Sequence, residues 1–221
     1  MSTAVRERSQ VEQRIRSVPA PRPVLPRDRE EALTARQREI LDQLGHIVEG
    51  GWADLTMAEL AARLNCSLRT LYELAPTRDD LVLTVVDRSL WRVGHTATSS
   101  ISSAEATALD AVRAYLRAAT VAVANVSPAF ARDLAATPAA QRLEDAHNDY
   151  LVAVTRALLD LAVERGEIEP VDTAAMARTM AGLGRDLSRA EVMATLRSSP
   201  KDAADSIVDV ILTGLRAPTP S

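Results

Sequence analysis

Ser67, Arg69, Thr70 and Tyr72 fall within one short stretch, SLRTLYEL, that reads as the opening of a helix. Hydroxyls and a guanidinium near a helix N-terminus, beside its unpaired backbone amides, make a natural seat for phosphate oxygens. Other site chemistries are poorly served. His46, His95 and His147 have no metal-ligand spacing with one another, Cys66 is the one cysteine, and no Gly-rich phosphate loop occurs. No Ser-His-Asp or Cys-His arrangement can be assembled from the chain. Neither a metal nor another cofactor is expected, and an enzyme is disfavoured.

The surrounding residues set the elements that must present this cluster. Thr56 and Glu59 form a Thr-x-x-Glu capping box, and Leu60, Ala61 and Leu64 follow on one helical face. Asn65 and Cys66 make the turn, Asn tolerating a left-handed conformation. Ser67 caps the second helix, in which Leu71 points inward with Leu64. Pro76 stops that helix, and Thr77 caps a third, with Asp79 and Asp80 complementing its dipole. This is the sequence form of a helix-turn-helix, which seats its second helix in the DNA major groove. A capped helical hairpin taken alone also serves as plain packing.

The order Ser-x-x-Thr-Leu-Tyr followed by Pro-Thr-Arg-x-x-Leu is more specific. It resembles the DNA-binding domain of the TetR (tetracycline-repressor-like) family of transcriptional regulators, over residues 34–93. The likeness includes a preceding helix at 36–49 with Ile40, Leu41, Leu44, Ile47 and Val48 on one face. It continues through the bend Gly50-Gly51-Trp52 and into a fourth helix carrying Leu81, Val82, Val85 and Val86.

The resemblance implies an all-α fold. A three-helix helix-turn-helix domain at 34–80 is joined through the fourth helix to a helical ligand-binding and dimerisation domain within 81–221. By the same likeness Thr56 and Tyr72 touch phosphates, Thr70 supports that contact, Leu68 and Arg69 face base edges, and Arg78 contacts the DNA backbone. The chemistry suits each: Arg forks onto guanine O6 and N7, Leu touches a thymine methyl, and hydroxyls position without reading sequence. Glu73, Leu74 and Ala75 depart from the family pattern. Glu73 is compatible with accepting from a cytosine N4, with pairing to Arg69 at i, i+4, or with a solvated surface carboxylate. Ala75 leaves a smaller plug under the motif, which Leu74 would fill by turning inward.

Residues 1–33 are expected to form a flexible Arg- and Pro-rich extension. Seven arginines, from Arg6 to Arg29, crowd it, and VPAPRPVLP resists regular structure. It is read as a solvated tail in the free protein, with contact to DNA phosphates or the minor groove as its candidate role. Residues 10–17 are compatible with a short helix.

Beyond residue 93 no β-alternation occurs. Residues 94–102 read as a Ser/Thr-rich link. Ser103, Ser127-Pro128, Thr137-Pro138, Asp172 and Ser199-Pro200 open successive helices, and Gly166 closes one of them. The last two long helices carry apolar faces, Met176, Met180, Leu183 and Leu187 on one and Ile207, Val208, Ile211, Leu212 and Leu215 on the other. By the family likeness these faces pair across a homodimer. Candidate lining for a small-molecule effector site is Trp91, His95, Tyr115, Phe130, His147 and Tyr150. With aromatics at only 3% of the chain, an aliphatic or acyl effector is favoured over a flat multi-ring one.

The net charge of −4 argues against whole-surface polyanion binding but leaves local contact open. No apolar run is long enough for a membrane span, and the first ten residues hold no signal core, so a cytoplasmic protein without a membrane partner is expected. The expected function is a DNA-binding regulator, a homodimeric repressor released from a palindromic double-stranded operator by a small molecule. The alternative is a ligand-independent regulator or activator of the same fold.

Overall fold

The computed structural model describes residues 3–101, 107–124 and 126–216. Their helices are α1 (Thr3–Arg16), α2 (Arg27–Ala32), α3 (Ala35–Glu49), α4 (Met57–Arg63), α5 (Leu68–Leu74), α6 (Arg78–Ser100), α7 (Ala108–Ala124), α8 (Pro128–Ala136), α9 (Pro138–Glu164), α10 (Thr173–Leu187), α11 (Ala190–Met193) and α12 (Pro200–Leu215). Among the described residues the only β pairing is an isolated bridge between Ile168 and Arg216. The chain is all-α.

Two compact units divide the chain. One comprises residues 21–92 and 126–146, the other residues 1–20, 93–125 and 147–221. The first, here the head, is built around Ile40, Leu44, Leu60, Leu64, Leu71 and Leu81, all essentially without solvent exposure. Trp52 joins this core and meets Phe130 edge-to-face, with ring centroids 5.1 Å apart.

The second unit, here the bundle, packs α7, α10 and α12 on one another, with Tyr115, Val154, Leu158, Leu159 and Leu212 in its core. Local capping starts its helices. Asp172 accepts the Ala175 amide at 3.0 Å, and Ser199 accepts that of Asp202 at 3.1 Å. The Thr107 hydroxyl takes the Asp110 amide at 3.0 Å, and Glu167 takes those of Ala108 and Leu109 at 2.9 and 3.1 Å. A carboxylate is thus placed at the positive end of α7. Ser103, read as the cap of this helix, lies outside the described residues.

Three sequence expectations change. The link expected at 94–102 is helical as far as Ser100, because Ala97 and Ile101 bury into the bundle core and outweigh the poor helix propensity of Gly94 and its Ser/Thr neighbours. The flexible extension expected at 1–33 holds two helices. Val11 and Ile15 of α1 are buried in the bundle core, and Arg14 pairs with Glu164. Leu25 is buried in the head core, which Leu33 flanks.

The third change concerns the apolar faces of α10 and α12. Met180, Val208 and Leu212 are buried within the protomer's own core, with Met176, Leu183, Ile211 and Leu215 packed against it. These faces therefore hold the bundle together. Outward on α12 are Ile207 and Val210, the latter 74% exposed. A Cβ on Gly184 would meet Thr120 at 3.9 Å, and one on Gly182 only Asp186 of the same helix at 3.6 Å, so crowding inside the protomer dictates neither glycine.

Candidate nucleic-acid interface

Helix α4 starts on the expected capping box. The Thr56 hydroxyl accepts the Glu59 amide at 3.2 Å, and the Glu59 carboxylate accepts the Thr56 amide at 2.8 Å. The Thr56 amide first, and then the Thr56 hydroxyl, which also donates to it at 2.8 Å, hold the Glu59 carboxyl below its ordinary pKa. Asn65 makes the turn in the left-handed region, at φ 48°. The Ser67 hydroxyl then accepts the Thr70 amide at 3.1 Å and lies 2.9 Å from the Thr70 hydroxyl. Ala75 is extended, as a residue before proline prefers, and α5 ends there. Thr77 takes the Asp80 amide at 3.1 Å and opens α6.

This frame turns Leu71 and Leu74 inward, at 0% and 4% exposure, and leaves Leu68 and Tyr72 outward at 44% and 54%. Leu74 and Ala75 together make the plug under the motif. Arg69 projects with 88% of its side chain exposed and pairs with Glu73 at 3.1 Å, the i, i+4 role weighed for that carboxylate. The outward face of α5 therefore offers one apolar contact, a guanidinium, a carboxylate and a phenol. Such a set can meet base edges and phosphates in a groove.

Arginines brace the helices from behind by donating to backbone carbonyls. Arg36 reaches the Leu64 and Asn65 carbonyls at 3.1 and 3.3 Å and holds the α4–α5 turn. Arg29 reaches those of Glu73 and Leu74 at 3.3 and 3.4 Å. Arg78, expected to contact the DNA backbone, bonds the Leu55 carbonyl at 2.8 Å, the Ala53 carbonyl at 3.0 Å and the Trp52 carbonyl. Its guanidinium closes the loop that leads into α4.

The same loop is held from its other side by a residue that no sequence motif picks out. Asp133 of α8 is 2% exposed and accepts the Trp52 and Ala53 amides at 2.6 and 2.9 Å. Burial pushes its pKa up, but the Ala53 and Trp52 amides and Arg132 more than offset that, leaving it below the ordinary carboxyl value. Gly51 is required beside it. Its φ is +98°, and a Cβ there would lie 3.1 Å from both Ala129 and the Asp133 carboxylate. A sequence separation of 81 positions between Trp52 and Asp133 removes any local signal of the contact.

The candidate effector residues are divided between the two units, Trp91 and Phe130 in the head and His95, Tyr115, His147 and Tyr150 in the bundle. Phe130 belongs to the head core with Trp52. Tyr115 is buried in the bundle core, and desolvation, then the nearby Tyr150, raises its pKa. Tyr150 is partly buried and also shifted up by desolvation. His95 is exposed, while Trp91 and His147 are half-buried. Among the described residues no group of three His, Cys, Asp or Glu side chains could hold a metal ion. No described helix is long and apolar enough to cross a membrane.

No family model and no curated protein matches the sequence. Solved structures match it over most of both chains. A TetR transcription regulator from Haloarcula marismortui superposes with a TM-score of 0.70 at 17% identity, over 84% of this chain and 100% of that one. A transcriptional regulator from Cytophaga hutchinsonii gives 0.66 at 13% identity, over 83% and 100%. A TetR family regulator from Thermus thermophilus gives 0.55 at 20% identity, over 80% and 99%. The fold of this chain is that of the TetR-type regulators.

Proposed function

We propose that this chain is a DNA-binding transcriptional regulator of the TetR family, and no enzyme. The observation that carries the reading is the outward face of α5. Leu68, Arg69 and Tyr72 are exposed on a short helix whose entry turn is held by Arg36, whose Thr70 amide is held by Ser67 and whose C-terminal carbonyls are held by Arg29. Arg69 and Leu68 read base edges, and Glu73 either accepts from cytosine or releases Arg69 on binding. Thr56, Ser67, Thr70 and Tyr72 hold phosphates, while Arg78 positions the loop rather than the DNA.

The reading unit in this proposal is larger than residues 34–80. It takes in residues 21–33 and α8, which fix the head from outside the motif. Two copies pair through α10 and α12, with Ile207 and Val210 as the apolar contacts on the outer face of α12. Two-fold pairing supplies two reading helices for a palindromic operator. A small molecule held in the bundle near Tyr115 and Tyr150 favours a state that no longer fits that operator, which makes the protein a repressor.

The test is binding of the purified full chain to the DNA flanking its own gene at two salt concentrations. Saturable binding that resists competitor DNA and weakens with salt supports the reading. Tyr72→Ala and Arg69→Ala proteins that bind as tightly as the parent would remove α5 as the reading helix.

A further inference from the structure

The segment 21–33 lies against the head rather than extending from it. The Val24 amide donates at 2.8 Å to Asp87, whose carboxylate is 2% exposed. Leu25 is 7% exposed in the head core, and Glu30 pairs with Arg88, itself 3.1 Å from Asp42. The Arg88 guanidinium is partly desolvated, which opposes its charge, but Glu30 and Asp42 outweigh that and raise its pKa. A buried carboxylate, a buried leucine and a two-acid arginine thus fix this stretch to α6.

Seated this way, Arg29 reaches the end of α5. The Glu73 and Leu74 carbonyls it bonds belong to the last turn of that helix, where intrahelical donors run out. Pro76 has no amide to offer them, and α5 has no basic residue in its own last turn. A cation at this terminus also opposes the negative end of the helix dipole. A helix of seven residues is far below the length that holds by itself, so its order depends on the packing of Leu71 and Leu74 and on the contacts at its ends.

We propose that Arg29 is a positioning residue for the reading helix: carried by the anchored 21–33 segment, it caps the C-terminus of α5 and fixes how Leu68, Arg69 and Tyr72 are presented. The proposal rests on α5 being the DNA-facing helix, and it replaces the idea that this arginine lies along phosphates. The two roles differ in their consequences. A phosphate contact acts only when DNA is present and adds to the salt dependence. A cap acts in the free protein and leaves the number of phosphate contacts unchanged.

Full-length parent, Arg29→Ala and Arg29→Lys proteins are compared by amide hydrogen exchange without DNA. Peptides covering 68–75 are the probe, and peptides from α7 are the internal reference. Exchange across 68–75 is expected to quicken about two- to fivefold in Arg29→Ala, the range a cation at a helix C-terminus supplies, with Arg29→Lys between and α7 unchanged. Binding to the DNA flanking the gene is expected to weaken by a similar factor, with the slope of log K against log salt unchanged.

Unchanged exchange at 68–75 overturns the proposal. A slope reduced by about one also overturns it, assigning Arg29 to a phosphate. If the parent shows no saturable DNA binding while exchange responds as expected, the cap on α5 stands and the DNA-reading assignment falls.

Discussion

The head and the bundle place side chains in opposite ways. In the head, α5 is seven residues long and turns Leu71 and Leu74 inward, while Arg36, Arg29, Arg78 and Asp133 hold backbone amides and carbonyls around it. In the bundle, the sixteen-residue α12 buries Ala204, Val208 and Leu212, and Asp209 takes Arg113 and Arg117 of α7 at 2.9 and 2.6 Å. In the head, side-chain contacts to the main chain add to the apolar core in holding α5, and Leu68, Arg69 and Tyr72 are left to face outward. Helix position in the bundle is set through apolar side chains, which are then committed to the core. A surface meant to recognise a polar partner is better built the first way.

That contrast is open to attack, and the largest effect is expected in the bundle. Leu212→Ala removes a side chain with 0% exposure and should cost about 2–5 kcal/mol of unfolding free energy in urea titration. A loss under about 1 kcal/mol would mean that the bundle does not depend on its apolar seam.

Next is the main-chain latch. Asp133→Ala leaves the buried Trp52 amide and the part-buried Ala53 amide without their acceptor and should cost about 1–3 kcal/mol, with Asp133→Asn losing less because its carbonyl still accepts. The pH dependence follows in sign. The folded-state pKa of Asp133 is depressed, so its contribution is fully present above the ordinary carboxyl value and is lost as pH falls through the folded value. Stability measured below pH ~4 should therefore decline less steeply in Asp133→Asn than in the parent. Parallel acid limbs would place the acid sensitivity elsewhere.

On the outward face of α5 the expected effect moves from stability to binding. Arg69→Ala should weaken DNA affinity by about 1–3 kcal/mol and relax selectivity at one base position, while thermal unfolding stays within about 0.5 kcal/mol of the parent. A large stability loss would show that this side chain braces the head as well. The smallest effect on protomer stability is expected for Val210→Asp on the outer face of α12, within about 0.5 kcal/mol. Sedimentation should nevertheless report a shift from dimer to monomer. An unshifted dimer would move the pairing surface away from this face.

Local signals were readable wherever the physics is local. Thr56 with Glu59, Asn65, Ser67, Thr77, Ser127, Asp172 and Ser199 occupy the cap and turn positions that their side chains predict, because each acts on amides or dihedrals within three residues. The inward turn of Leu64 and Leu71 follows from helical spacing in the same way. Residue type alone was weaker. An arginine such as Arg78 has the same chemistry for a phosphate as for a carbonyl, and Phe130 is as suited to a core as to a pocket.

The sequence by itself determined the helical class, the start and stop of the motif helices, and which residues of α5 face outward. Only the tertiary structure decided that Arg29, Arg36 and Arg78 serve carbonyls, that Asp133 secures a loop 81 residues away, and that Met180, Val208 and Leu212 are buried inside the protomer. The reason is range. Caps, turns and helical periodicity are set by neighbours a few bonds apart. The partner of a long charged side chain, or of an apolar face, is whichever surface the folded chain brings within reach.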